Sequence, residues 1–189
     1  MVEFLNSKHQ KTLLEIARAS LIHRLAQGSP PQRPGDKKLL ARAAAFVTLT
    51  MSEKLRGCIG NLEPVGPLWE GVRDNAASAA LHDHRFSPLT RRELEDVCLE
   101  ISVLSPAKTL QYRDSHEIVS SLTPGVDGVI LRDGARAATF LPQVWQQLPE
   151  PEQFLTQLCC KASLPGALWR EKKLDIETYR VQSFKEDKQ

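Results

Sequence analysis

Apolar positions recur along the chain at two periods. From His9 to Ala26, Leu13, Leu14, Ala17, Leu21 and Leu25 fall on one side of a 3.6-residue repeat, while Lys11, Glu15, Arg18 and Arg24 take other positions. That predicts an amphipathic helix over 9–26. Gly28 and the prolines at 30, 31 and 34 end it and predict an exposed, Pro-rich linker over 28–35. The β-branched run 44–50, the short polar turn 51–54 and the stretch 55–60 then predict a hairpin. Pro67 suits the start of a helix over 67–81, with Leu68, Val72, Ala76, Ala79 and Ala80 inward. Its alanines predict close packing on a neighbour.

The loop 82–89 is irregular, and Thr90 with Glu93 has the spacing of a capping box. Strict alternation predicts a strand over 97–104, with Val97, Leu99, Ile101 and Val103 on one face and Glu100 on the other. A helical turn over 115–121 precedes a second hairpin, 129–132 and 135–141, joined by Asp133-Gly134. An amphipathic helix over 151–162 follows. A single closing strand over 176–184 and a frayed tail over 185–189 complete the chain. Hairpin connections dominate and no strand-helix-strand repeat occurs. The pattern predicts an α+β fold of mainly antiparallel sheets with flanking helices.

Length allows one domain spanning 1–189, or two small lobes. A net charge of +2 argues against nucleic acid as a partner. No apolar run approaches the ~20 residues that cross a bilayer, and the first residues lack a secretory pattern. Four cysteines without a CxxC spacing fit reduced thiols in a cytoplasmic protein.

Candidate chemistry concentrates in Leu55-Arg56-Gly57-Cys58-Ile59-Gly60. Two glycines bracket a cysteine, and glycine inside a strand marks a bulge or a close approach of backbone or ligand. Cys58 reads either as a reactive thiol beside Arg56 or as a small core residue. Asp83 and Arg85 add a carboxylate and a guanidinium suited to an anionic ligand. His82 and His84 alternate, but a metal site needs a third ligand, and none is assigned. On the helix over 151–162, Cys159 fits the apolar face and Cys160 the exposed one.

These residues resemble the AMMECR family, called AmmeMemoRadiSam system protein A in prokaryotes. The resemblance rests on Phe46-Val47-Thr48-Leu49, the Arg56-Gly57-Cys58-Ile59-Gly60 motif, Asn75-Ala76, and Asp83 with Arg85-Phe86. It extends through Glu100 to Ser105, Leu141 to Val144, and Phe154 to Ala162, and covers roughly 40–184. His84 stands where the family loop usually carries proline. The resemblance implies two unequal lobes around a cleft, with both termini in the larger lobe and the motif toward the cleft. It implies a functional link to Memo-type and radical SAM proteins, and it favours Cys159 over Cys160 as a position of interest. It brings no cofactor, and the cysteines do not supply an iron–sulfur cluster triplet.

Two functional expectations follow. In the first, Cys58 is the nucleophile or covalent carrier for acyl or alkyl group transfer or hydrolysis. Arg56 activates the thiol or orients an anionic substrate, Asp83 and Glu100 complete the polar wall, and Arg85, Gly57, Gly60 and Cys159 bind substrate. In the second, the chain is a binding or adaptor module for an anionic ligand or peptide, and Cys58 fills space.

Overall fold

The side chain of Asn6 accepts the backbone N–H of His9, and the His9 ring accepts the N–H of Asn6 in return. This reciprocal cap starts helix α1, Ser7–Ala26. In the computed structural model, which describes residues 5–187, the chain divides into two compact units. One takes the described residues up to Leu104 and again from Gln182; the other is Ser105–Val181.

In the first unit, α1 is followed by a short helix α2, Lys37–Leu40, capped by Asp36, which also pairs with His9 at 3.1 Å. Strands β1, Ala44–Met51, and β2, Lys54–Gly60, form the first hairpin. Ser52 and Glu53 at its turn adopt left-handed φ values of 48° and 62°. Helix α3, Leu68–Leu81, comes next, then a 3-10 turn, Arg91–Leu94, and β3, Cys98–Leu104. The sheet has the order β2-β1-β3-β8, with β8 being Val181–Lys185. Leu13, Ala17 and Leu21 of α1, and Val72 and Ala76 of α3, pack with Val47, Leu49, Leu99 and Ile101 of the sheet, none of them exposed. Burying each leucine or isoleucine is worth roughly 1.5–3 kcal/mol. Ile16 and Ser20 join the buried side of α1, whereas Leu14 and Leu25 are only partly covered.

The second unit has a sheet of order β4-β7-β5-β6: Lys108–Thr109, Asp175–Tyr179, Gly128–Asp133 and Arg136–Phe140. Helices α4, Ser115–Ser121, α5, Pro151–Lys161, and α6, Leu168–Glu171, accompany it. Its core centres on Phe154, stacked on Trp145 at 3.7 Å and meeting Phe140 edge-on. The Tyr112 hydroxyl ties the loop before α4 to Leu174, donating to its carbonyl and accepting its N–H.

Two sequence expectations are corrected here. The predicted closing strand 176–184 is two strands, β7 and β8, in different sheets, because the chain leaves one unit for the other between Val181 and Gln182. The predicted fraying from residue 185 does not apply to Glu186. Its carboxylate pairs with Arg18 and accepts the N–H of Leu99, and its own N–H donates to the Leu99 carbonyl. Residues 188 and 189 lie outside the described residues.

Candidate functional site

Cys58 owes its position to a bulge in β2. Counting back from the hairpin turn, Met51 pairs with Lys54 and Thr50 with Leu55. An unbroken ladder would continue by pairing Val47 with Cys58. Val47 is fully buried, and opposed residues share a face, so the thiol would enter the core. Instead the register shifts: Leu49 pairs with Gly57 and Thr48 with Cys58. Arg56 is the extra residue. The shift turns Cys58 to the face away from the helices, where it is half-buried. It also turns Gly57 inward, under α3.

The two motif glycines have packing reasons. A Cβ on Gly57 would lie 2.2 Å from the Ala79 carbonyl oxygen of α3. A Cβ on Gly60 would lie 2.3 Å from the Phe46 ring and 2.6 Å from the Ala45 carbonyl oxygen. The space that the sequence reading assigned to a ligand at Gly57 and Gly60 is filled by the unit's own helix and aromatic ring.

Because α3 packs back along the hairpin, its end delivers the loop 82–89 to β2. Asp83 Oδ2 accepts the N–H of Cys58 at 2.8 Å. Arg85 grips Asp83 through Nε at 2.9 Å and Nη2 at 2.7 Å, and Nη2 also donates to the Cys58 carbonyl at 3.2 Å. The pair thus satisfies both backbone groups of Cys58 on the open edge of β2, as a neighbouring strand would. Asp83 is buried and Arg85 is 57% exposed. The Arg85 fork holds the Asp83 carboxyl well below the usual carboxylate range, and the Cys58 N–H adds to that. Arg85 is in turn pushed above its ordinary value, first by Asp83, with a smaller contribution from the Cys58 thiol beside it. Among the described residues, no hydrogen bond engages its Nη1.

Arg56 serves elsewhere. Its Nε donates to Glu93 at 2.9 Å and its Nη1 to the Ser87 carbonyl at 2.9 Å. Glu93 also accepts the N–H and hydroxyl of Thr90. Its carboxyl is pulled down to about 2, first by Arg56 and then by the Thr90 N–H. The bulge re-aims Arg56 from the neighbourhood of the thiol to the start of the 3-10 turn, where it clamps the loop that carries Asp83 and Arg85.

The Thr48 hydroxyl donates to Cys58 Sγ at 3.3 Å, and Glu100 on β3 is registered opposite Thr48 on its other side. Cys159, by contrast, has no solvent exposure in the core of the second unit, and burial pushes its thiol up. A side chain so enclosed has no surface to offer a substrate. His84 is exposed, and among the described residues no group of three His, Cys, Asp or Glu is placed to hold a metal. Thr48 and Glu93 are site members that the sequence reading did not select. The capping-box spacing pointed to Glu93 as a structural residue, whereas only the bulged register reveals Thr48.

No helix is long and apolar enough to cross a membrane among the described residues. The chain is similar to archaeal proteins along nearly its whole length. A protein of Methanopyrus kandleri is 35% identical over 99% of this chain and 93% of its own. One of Methanothermobacter thermautotrophicus is 36% identical over 94% of each chain. The crystal structure of an uncharacterized protein from Pyrococcus horikoshii superposes with a TM-score of 0.78 at 28% identity, covering 93% of this chain and 90% of that one. The sequence profile of AMMECR1 matches residues 14–184, bulged strand and Asp83–Arg85 loop included, and the chain belongs to the AMMECR1 family.

Proposed function

We propose that the Cys58 thiol is the nucleophile or covalent carrier in an acyl or alkyl group transfer or hydrolysis, with Arg85 holding an anionic group of the substrate beside it. The observation that carries this reading is the Asp83–Arg85 pair fastened to the backbone of Cys58 itself. It fixes a guanidinium next to a half-buried thiol, with its Nη1 in no hydrogen bond to another described residue. A preset donor of this kind costs little to organise when a substrate arrives. In this scheme Asp83 positions Arg85, and Arg56 and Glu93 hold the loop in place. Four free thiols fit a cytoplasmic setting, and a Memo-type or radical SAM protein as partner rests on the family resemblance alone. The test is site-resolved alkylation. Cys58 is expected to react with iodoacetamide at neutral pH faster than a free model thiol; an equal or lower rate rejects the reading.

The exposed guanidinium also favours a second reading, in which the same edge holds an anionic ligand or peptide and no covalent step occurs. Cys58→Ala separates the two. A binding module keeps its ligand in that variant, whereas a thiol-dependent activity is lost.

A further inference from the structure

The nucleophile reading lacks a base, and among the described residues no histidine is hydrogen-bonded to Cys58. The sheet supplies another group. Cys58 turns its own N–H and carbonyl outward to Asp83 and Arg85, so toward β1 it forms the non-hydrogen-bonded kind of antiparallel pair. In such pairs the side chains approach closely. This is why Thr48 Oγ1 reaches Cys58 Sγ at 3.3 Å. The backbone of Thr48 then faces β3, where its registered partner is Glu100. Leu99 and Ile101 on either side of Glu100 are fully buried in the core, so Glu100 lies on the same face as Thr48 and Cys58. Opposed side chains start about 4.5–5.5 Å apart at Cβ, a gap that the two methylenes of a glutamate span. The Glu100 carboxylate forms no hydrogen bond or ion pair with another described residue and is half-buried.

We propose that Glu100 is the base for the Cys58 thiol and acts through the Thr48 hydroxyl. This rests on the nucleophile reading above and deepens it. The thiol S–H bond breaks as its proton passes to Thr48 Oγ1, and the hydroxyl's own proton passes to a Glu100 carboxylate oxygen. The electron pair left on sulfur forms the bond to the electrophilic carbon. The leaving group departs with its electron pair, and Glu100 returns the proton to it or to water. A hydroxyl both donates and accepts and its hydrogen rotates freely, so Thr48 suits a relay. Among the described residues, the charged groups that flank this row are Arg85 and Asp83 at the Cys58 end and, by register, Lys185 at the Glu100 end. Lys185 is placed there by two contacts of β8 with β3, Ser183 with Ser102 at 2.8 Å and the Glu186 N–H with the Leu99 carbonyl.

Charge and relay predict opposite signs for Glu100→Gln. Removing a negative charge near a thiol favours the thiolate, so a purely electrostatic role predicts faster alkylation. Loss of a base predicts slower alkylation. The experiment measures iodoacetamide labelling of the tryptic peptide 57–73, which contains Cys58 and no other cysteine, in light and heavy water at neutral pH. In the full chain, E100Q and T48V are each expected to slow labelling roughly a hundredfold or more, within the range that general-base assistance supplies. Both are expected to abolish the solvent isotope effect, and T48S to restore rate and isotope effect. An unchanged or faster E100Q, or a T48V that keeps the isotope effect, overturns the relay while leaving a fast wild-type thiol intact. A wild-type Cys58 no faster than a model thiol overturns the nucleophile reading and the relay with it. Circular dichroism matching the wild type confirms that each variant is folded.

Discussion

Gly57→Ala tests how the site is held. The added Cβ would stand 2.2 Å from the Ala79 carbonyl oxygen and 3.1 Å from its carbon, against an ordinary contact of 3.4 Å or more. Both obstructing atoms are backbone, so no rotamer relieves them. Either the last turn of α3 or the bulged segment of β2 must move by about an ångström. Overpacking costs typically about 1–3 kcal/mol, and a rigid backbone obstacle puts this case near 3. For a chain of this size that lowers Tm by roughly 6–12 °C. Gly71 provides the control on the same helix. A Cβ there meets nothing within 4 Å and its φ is not positive, so Gly71→Ala gains helix propensity and stabilises by about 0.5–1 kcal/mol. Urea unfolding followed by circular dichroism measures both, and hydrogen exchange locates the loss in β1, β2 and α3. The G57A variant also displaces Asp83, two residues beyond the end of α3, so protection of the Cys58 amide should fall with it. A G57A protein within 0.5 kcal/mol of wild type would refute the close seating of α3 on the motif strand.

Other outcomes follow from the same geometry. Asp83 and Glu93 both have carboxyls depressed in the folded state, so their stabilisation is complete above the unfolded carboxylate range and is lost as pH falls. For Glu93 that loss runs from about pH 4.5 to 2, and Glu93→Gln should flatten the acid limb of a stability-versus-pH curve there. Arg56→Lys keeps the charge but loses the fork to Glu93 and the Ser87 carbonyl. It should destabilise by roughly 1–3 kcal/mol and raise hydrogen exchange in residues 82–90. In the native protein Cys160 should react with a thiol reagent readily, while Cys159, fully enclosed, should react only on unfolding; mass spectrometry of the labelled peptides reads both.

Much of the fold was legible because local periodicity and turn chemistry agree with the final packing. The β-branched run 44–50 and the alternation of 97–104 gave both central strands, and the alanines of 76–80 gave the close seating of the helix on them. The close packing that those alanines predicted is what lets α3 run back along the hairpin and return the loop near Asp83 to the motif strand. The break of 176–184 into two strands was not legible. Strand-forming residues, Ile176, Thr178, Tyr179, Val181 and Phe184, run through it without a turn signal, and only the division into two units assigns the halves to different sheets.

For the site, sequence alone determined the cast: a cysteine between glycines, an arginine before it, and a carboxylate and guanidinium two residues apart on a later loop. Residue type and local spacing carry that information. It did not determine which face the cysteine takes. Side chains in a strand alternate with period two, so a single extra residue at Arg56 exchanges core for surface along the rest of β2. Nothing in the local pattern announces that residue, because the bulge is fixed by partners distant in sequence: Glu93 and the Ser87 carbonyl drawing Arg56 aside, and the Ala79 carbonyl accepting only a glycine beneath it. Those long-range contacts bring the Cys58 thiol beside Thr48 and Arg85, and they exist only once the helix has packed against the hairpin.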